Sequence, residues 1–345
     1  MRFLFLTLYG YEPDFYGRVS NHLADLGHEV AHVTWSRGGA ARLRKRGLRA
    51  WVFPDLLREA GDFADTAAEI ARIEALYDTP SLRDVYRTDW PLNGAPEAEA
   101  VDRTIRHFRA LERVFDEYRP DVVVPEVGSE SIRTAAHLVG LQRGVDVLFL
   151  FYTAFPKPLR LYMNTMHAPI VAEEDIRVLE PAERAEVEAY VDGFVKRDKP
   201  IRAYRQPRVR LQTVRDFAGH VVAKATTDRD NEYLRPERFV LNYAREKTRA
   251  AAARKLYDPV PEPGGRPFVY FPLHVTDDYK IKRVIPHCVD QGAIIDQLAE
   301  ALPQGIDIVL KEHPMSVGMN PLTLLRRFRH KPNVYLVDPF TSSHE

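Results

Sequence analysis

Apolar residues along the chain fall into short dense runs, separated by stretches where they recur every three or four positions. Residues 3–8 form such a run and read as a strand covered on both faces. A helix is expected over 18–26, stopped by Gly27, and 29–35 returns as a second strand. That crossover implies parallel pairing. Val101, Ile105, Phe108, Leu111, Phe115 and Tyr118 mark one face of a helix that ends at Arg119-Pro120. Strands at 121–124 and 145–151 then flank a helix at 131–142. Between 36 and 95 the pattern is weaker. The basic stretch at 42–49 reads as a solvated helix face, 64–77 as a helix and 86–96 as a loop.

The alternation lapses over 170–265, where an acidic helix is expected at 173–190. Asp258-Pro-Val-Pro-Glu-Pro-Gly-Gly265 reads as a linker, because its prolines and glycines suit neither a helix nor a central strand. Beyond it come a strand at 268–272, a helix at 291–302, a strand at 306–310 and a strand at 334–337. Asn320-Pro321 reads as N-cap and first position of a short helix. The expected fold class is α/β, with two Rossmann-like doubly wound parallel-sheet domains at 1–170 and 266–345 and a helical connecting segment with linker at 171–265. The second domain is expected to be incomplete, since it holds only three strands before the sequence ends.

Composition narrows the function. The 345 residues carry 49 basic and 49 acidic side chains, which removes the field that a nucleic-acid binder relies on. The single cysteine, Cys288, excludes an internal disulfide and a Cys-rich metal site. No run reaches the ~18 apolar residues that span a bilayer, and the apolar start lacks a cleavage site, so a cytoplasmic protein is expected. Eight Lys or Arg fall within 196–215. They read as a solvated face, with contact to an anionic lipid at the inner membrane face as the sharper alternative.

Several motifs compete. His28-Glu29-Val30-Ala31-His32 matches the H-E-x-x-H zinc pattern, but Gly27 and the β-branched residues favour a strand. Four residues along a strand span about 13 Å, too far to share one metal. Gly128-Ser129-Glu130-Ser131 lacks the second glycine of a nucleophile elbow, and Ser129 or Ser131 reads better as an N-cap. Neither a P-loop nor G-x-G-x-x-G is present. Lys311-Glu312-His313-Pro314 is the most informative segment. It follows a buried strand at the edge where open α/β sheets bind ligands, and its cationic groups suit a phosphate or diphosphate.

From 268 onward (the first strand, His274, the 291–302 helix, Lys311-Glu-His-Pro314 and Pro332-Asn-Val-Tyr-Leu-Val-Asp-Pro339) the chain resembles bacterial capsule and surface-polysaccharide glycosyltransferases, including Kdo-transferase-like capsule proteins. Gly27-His-Glu-Val30, Arg119-Pro-Asp-Val-Val-Val124 and Phe155-Pro-Lys-Pro-Leu-Arg-Leu-Tyr162 match the layout of their N-terminal domains more loosely. The resemblance implies the GT-B architecture of two Rossmann-like domains facing across a cleft. It also implies a nucleotide-sugar donor, CMP-linked in preference to UDP-linked; no cofactor is expected, and no metal, because the basic residues can do the electrostatic work of a cation. His313 is then placed against the donor phosphate, with Lys311, Pro314, Ser342 and Ser343 beside it. The Ser/Thr-Gly-x-Glu segment usual in these families does not occur before the sequence ends.

A base for the acceptor hydroxyl is expected at the carboxyl ends of N-terminal strands. Candidates are Glu126 and Asp14, with Glu12, Glu130, Tyr152, Lys157 and His274 lining the cleft. The expected partners are the donor and a glycan or lipid-linked glycan acceptor. The competing readings are a sugar-nucleotide epimerase on the same architecture and a non-catalytic glycan- or partner-binding protein.

Overall fold

Dense apolar runs become central parallel strands because such strands are covered by helices on both faces. In the computed structural model, which describes residues 1–8, 10–152, 159–168, 170–196, 211–261 and 265–341, the chain divides into two units. The first comprises Met1–Pro169 with Val214–Pro236, the second Ile170–Thr213 with Glu237–Glu345.

In the first unit β1 (Arg2–Leu6), β2 (Glu29–Thr34), β3 (Arg49–Val52), β4 (Val122–Val124), β5 (Asp146–Tyr152) and β6 (Leu159–Met163) form one sheet, in the order β3-β2-β1-β4-β5-β6. Every pairing is parallel except that of β5 with β6. The order reverses direction between β1 and β4. Such a switch point opens a crevice beyond the carboxyl ends of the strands. The helices of this part are α1 (Glu12–Asp25), α2 (Arg37–Lys45), α3 (Phe53–Glu59), α4 (Thr66–Leu76), α5 (Leu82–Tyr86), α6 (Glu97–Tyr118) and α7 (Ser131–Gln142). One sheet face buries Phe5, Val122 and Val124 against Tyr16 of α1.

In the second unit the helices α8 (Pro181–Val195) and α10 (Pro236–Ala253) precede the strand β7 (Phe268–Pro272), while α9 (Leu211–Ala225) falls mainly in the first unit. Helix α11 (Gln291–Ala301), strand β8 (Asp307–Lys311), helix α12 (Leu322–Arg329) and strand β9 (Val334–Val337) follow. The three strands form a parallel sheet ordered β7-β8-β9, with a core of Leu273, Ile295, Ile308, Leu310, Leu325, Phe328 and Leu336. Each unit is thus Rossmann-like, and the chain is of the α/β class.

Several expectations change. α1 begins at Glu12, ahead of 18, because Pro13 sits in the first turn, where a missing amide costs nothing. The weakly patterned region 36–95 holds β3 and α3 besides the basic helix α2. The acidic helix starts at Pro181, and only a 3-10 turn, Glu173–Asp175, precedes it. Within the stretch expected to connect two domains, Val214–Pro236 packs with the first unit. Asp228 accepts the Arg37 amide at 2.6 Å and the Ser36 hydroxyl at 3.1 Å, and Arg103 pairs with Glu232 at 2.6 Å.

The H-E-x-x-H segment is strand β2, as its neighbours indicated. His32 is fully buried and bonds Ser20 Oγ at 2.9 Å and Thr7 Oγ1 at 3.3 Å. Burial pushes its pKa down to about 3 from the ordinary 6.5. The unfolded chain therefore takes up a proton in that window which the folded chain refuses, and stability falls as pH drops through it. In urea titrations between pH 6 and pH 4, His32→Gln should lose less stability per pH unit than the parent chain, the difference approaching ~1.4 kcal/mol per unit. Equal slopes would mean that His32 is protonated in the folded state.

Candidate functional site

At the switch point of the first sheet, three glutamates converge on one guanidinium. Glu12 opens α1 just after β1, Glu126 follows β4 and Pro125, and Glu130 is the N-cap of α7. Arg133, one helical turn along α7, is 1% exposed. It donates Nη2 to Glu12 Oε1 at 2.7 Å, Nε to Glu130 Oε2 at 2.8 Å and Nη1 to the Pro125 carbonyl at 2.7 Å. Glu12 Oε2 also accepts the Leu8 amide at 2.8 Å. One side chain thereby ties the end of β1 to the end of β4. Gly128 is required beside it, since a Cβ there would lie 2.2 Å from Glu130 Oε2 and 2.8 Å from Arg133 Nε.

Glu126 differs from its two neighbours. Its backbone adopts φ +65°, a strained conformation for a non-glycine residue. Its Oε2 is buried and has no hydrogen-bond partner among the described residues. Desolvation, reinforced by the Glu12 and Glu130 charges and opposed by Arg133, pushes its pKa up to about 7. A carboxylate so placed can exchange a proton near neutral pH. Asp14, the other candidate base, points elsewhere: its Oδ1 accepts Arg42 Nε at 3.1 Å on an exposed face. Tyr152 ends β5. Lys157, Ser342 and Ser343 lie outside the described residues.

Ser131 is not an N-cap. Its hydroxyl donates to Asp89 Oδ2 at 2.7 Å and lies 2.8 Å from His107 Nδ1. Asp89 Oδ2 also accepts the Ser131 amide at 2.9 Å and the Tyr233 hydroxyl at 2.6 Å. Asp89, His107 and Ser131 are all fully buried. The cluster therefore fastens α6, α7 and the 214–236 segment together and offers no surface to a substrate.

In the second unit the groups collect at the carboxyl ends of β7 and β8. His313 caps the short turn Pro314–Ser316, and its Nδ1 accepts the Met315 amide at 3.1 Å. Its neutral ring accordingly carries the proton on Nε2. Burial holds His313 below the ordinary histidine pKa, and His274, Lys280 and Lys311 depress it further while Asp278 opposes them. His274 follows β7, with Nδ1 4.0 Å from Asp278 Oδ2. Gln291 fixes its backbone by accepting the His274 amide at 2.7 Å and donating to its carbonyl at 3.2 Å. Lys311 is buried and donates to the Thr341 carbonyl at 2.6 Å. Reaching a phosphate would require it to leave that oxygen. Two lysines and a second imidazole around the His313 ring suit an anion. Among the described residues no group of three or more His, Cys, Asp or Glu is placed to hold a metal ion, and no helix is long and apolar enough to cross a membrane.

Sequence reasoning missed Arg133, Lys280 and Gln291. Only Arg133 leaves a trace, as a charged residue within the apolar face of α7.

No protein-family model matches the sequence, and neither does any curated protein. Similar solved structures include a UDP-GlcNAc 2-epimerase from Neisseria meningitidis bound to UDP-GlcNAc, at 12% identity over 99% of this chain and 73% of that one, with a TM-score of 0.27. The UDP-GlcNAc 2-epimerase of Methanocaldococcus jannaschii is 10% identical over 100% and 75%, with a TM-score of 0.24. The calicheamicin glycosyltransferase CalG4 is 14% identical over 97% and 70%, with a TM-score of 0.26. Likeness this remote carries no argument about activity, which rests on the residues themselves.

Removing Arg133 tests the first cluster. Arg133→Met would leave Glu12 and Glu130 buried without their cation, a loss of about 3–5 kcal/mol at pH 7.5. Burial already holds the Glu12 pKa above its ordinary value. Without Arg133 it rises further, and a group with a raised pKa loses stability as pH increases through that value. The deficit in urea midpoints should therefore shrink at pH 5. A deficit independent of pH would assign the loss to packing alone.

Proposed function

We propose that the chain is a glycosyltransferase of the GT-B type, moving a sugar from a nucleotide-activated donor to a glycan or lipid-linked glycan acceptor in surface-polysaccharide synthesis. The observation that carries this reading is the gathering of His313, His274, Lys280 and Lys311 at the carboxyl ends of β7 and β8. Such an edge of an open parallel sheet is where nucleotide ligands bind, and these side chains match the charge of a phosphate. Preference for a cytidine over a uridine donor rests on the resemblance of the Lys311–Pro314 motif.

Transfer with inversion makes a bond from the acceptor oxygen to the anomeric carbon as the bond to the donor phosphate breaks. The charge that develops on the leaving phosphate is met by His313 Nε2–H and by the cations around it. His313, fixed by the Met315 amide, needs no reorganisation during the step, whereas Lys311 must first leave the Thr341 carbonyl. Burial and neighbouring cations keep the His313 ring neutral in the free protein; an incoming phosphate favours its protonation. The acceptor hydroxyl gives its proton to Glu126, whose uncommitted oxygen and near-neutral pKa suit a general base. Glu12, Glu130 and Arg133 hold that loop in place. The basic stretch 196–215, the candidate for contact with an anionic membrane surface, lies largely outside the described residues.

Thermal-shift titration with CMP, CDP, UMP, UDP and ADP tests the donor site. At ~100 times its dissociation constant a true ligand adds about 2.7 kcal/mol of stability. Stabilisation by a cytidine or uridine nucleotide in the parent chain, lost in His313→Ala, is expected; no response to any nucleotide would refute a donor pocket here. Turnover tests the base. Glu126→Gln should keep nucleotide affinity and lose 10²- to 10⁴-fold, roughly, in transfer rate. In the parent chain kcat/KM should rise with pH through about 7 and level off, as the Glu126 pKa dictates. Conversion of donor without acceptor would point to an epimerase, and tight binding without turnover to a binding protein.

A further inference from the structure

Behind His313 lies a carboxylate for which the transfer reaction has no use. Glu312 is 0% exposed, and the groups that bond it are neutral. Its Oε1 accepts Asn320 Nδ2 at 2.7 Å and its Oε2 accepts the Tyr257 hydroxyl at 2.7 Å. Burial pushes its pKa up while these two bonds pull it down. Asn320 Oδ1 in turn accepts Thr276 Oγ1 at 2.9 Å. Thr276 stands two residues beyond His274, and Asn320 closes the turn that starts at His313. The same turn is pressed onto α10: at Gly318 (φ +89°) a Cβ would lie 2.2 Å from the Glu246 carbonyl oxygen. Arg249 Nη1 also donates to the Met319 carbonyl at 3.4 Å.

A surface turn needs no such arrangement. A buried carboxylate is costly to desolvate, so its two hydrogen bonds need a reason. What the carboxylate offers is two acceptors aimed in different directions. One holds the segment before the linker, through Tyr257. The other holds the 313–320 turn, and through Thr276 the 274–276 turn.

We propose that Glu312 is a positioning residue for the donor site, setting the separation of the His313 and His274 rings by bonding Tyr257 and the Asn320–Thr276 pair at once. The proposal rests on the donor-site reading for its consequence, though not for its structural part. Glu312 itself faces away from the ligand; Lys311 and His313 flank it on the other side of the extended backbone.

Two measurements separate these parts. The first needs no ligand. Imidazole ¹⁵N shifts of His313 and His274 are followed against pH in the parent chain, Glu312→Ala and Glu312→Gln, with His313→Ala and His274→Ala for assignment. The groups facing His313 (His274, Asp278, Lys280 and Lys311) are the same in all three proteins. Glu312→Ala should release the turn, so that His313 loses its fixed tautomer and its pKa moves up toward the ordinary histidine value. Glu312→Gln should resemble the parent. Its amide oxygen can take the Tyr257 hydroxyl, and its NH₂ can bond Asn320 once that amide flips and Thr276 accepts instead. Where Glu312→Ala fails to fold, Tyr257→Phe removes one donor only and should shift His313 in the same direction, by less.

The second measurement is the affinity for CMP and UDP. Glu312→Ala should weaken binding of the favoured nucleotide at least tenfold and raise the donor KM with kcat kept within about threefold; Glu312→Gln should stay within threefold of the parent in both. An unchanged His313 titration in folded Glu312→Ala overturns the proposal, as does a lowered melting temperature with unchanged affinity. If the parent binds no nucleotide, the donor reading fails, and the imidazole titration still decides the positioning role.

Discussion

Arg133 has almost no access to water, so its charge must be answered inside the protein, and that requirement organises the functional edge of the first unit. Its partners come from the end of β1, the end of β4 and the first turn of α7, the three places that meet at a topological switch point. A buried cation with two carboxylates and a carbonyl costs much to desolvate and little to keep once formed, while losing any partner is expensive. The loop carrying Glu126 therefore inherits a fixed position through the Pro125 carbonyl that Arg133 holds, with its backbone at φ +65°. The second unit meets the same need with opposite chemistry. There a buried carboxylate, Glu312, is satisfied by neutral donors, and the cations stand on the far side of the turn.

A parallel sheet directs its carboxyl-end loops to one edge, and in each unit taken by itself the candidate groups stand on such loops. Glu126 keeps an oxygen uncommitted, whereas Glu12 and Glu130 spend theirs on Arg133. The β7–β8 edge would equally suit a transferase or an epimerase acting on a nucleotide sugar. What distinguishes the two is the need for an acceptor.

Much of the fold was legible in the sequence because it rests on local periodicity. Seven of the nine strands among the described residues, all but β3 and β6, follow apolar runs read from the sequence, β7 and β9 to the residue, and β2 was separated from a zinc helix by Gly27 and its β-branched neighbours. β3 and α3, of four and seven residues, follow each other directly and give too little chain for either period to register. Two residues misled in the same way. Ser131 and Asn320 have the composition and placement of helix caps, yet each bonds a buried carboxylate, Asp89 or Glu312, supplied from elsewhere in the chain. Local sequence cannot report such partners. The segment holding Asp228, Asp230 and Glu232 was likewise placed in the connecting stretch and not with the first unit, because its partners Arg37, Arg58 and Arg103 lie far earlier in the chain. At the site, the edge position of His313 and Glu126 could be read from strand ends; Arg133, which fixes the loop, could not.

The central claim is that the β7–β8 edge grips the phosphate of a nucleotide. A crystal structure of the chain with CMP or UDP bound tests it most directly. The account predicts phosphate oxygens within hydrogen-bond distance of His313 Nε2, with His274 and Lys280 lining the same site. A nucleotide bound with its phosphates away from His313, or at the Arg133 cluster, would contradict it.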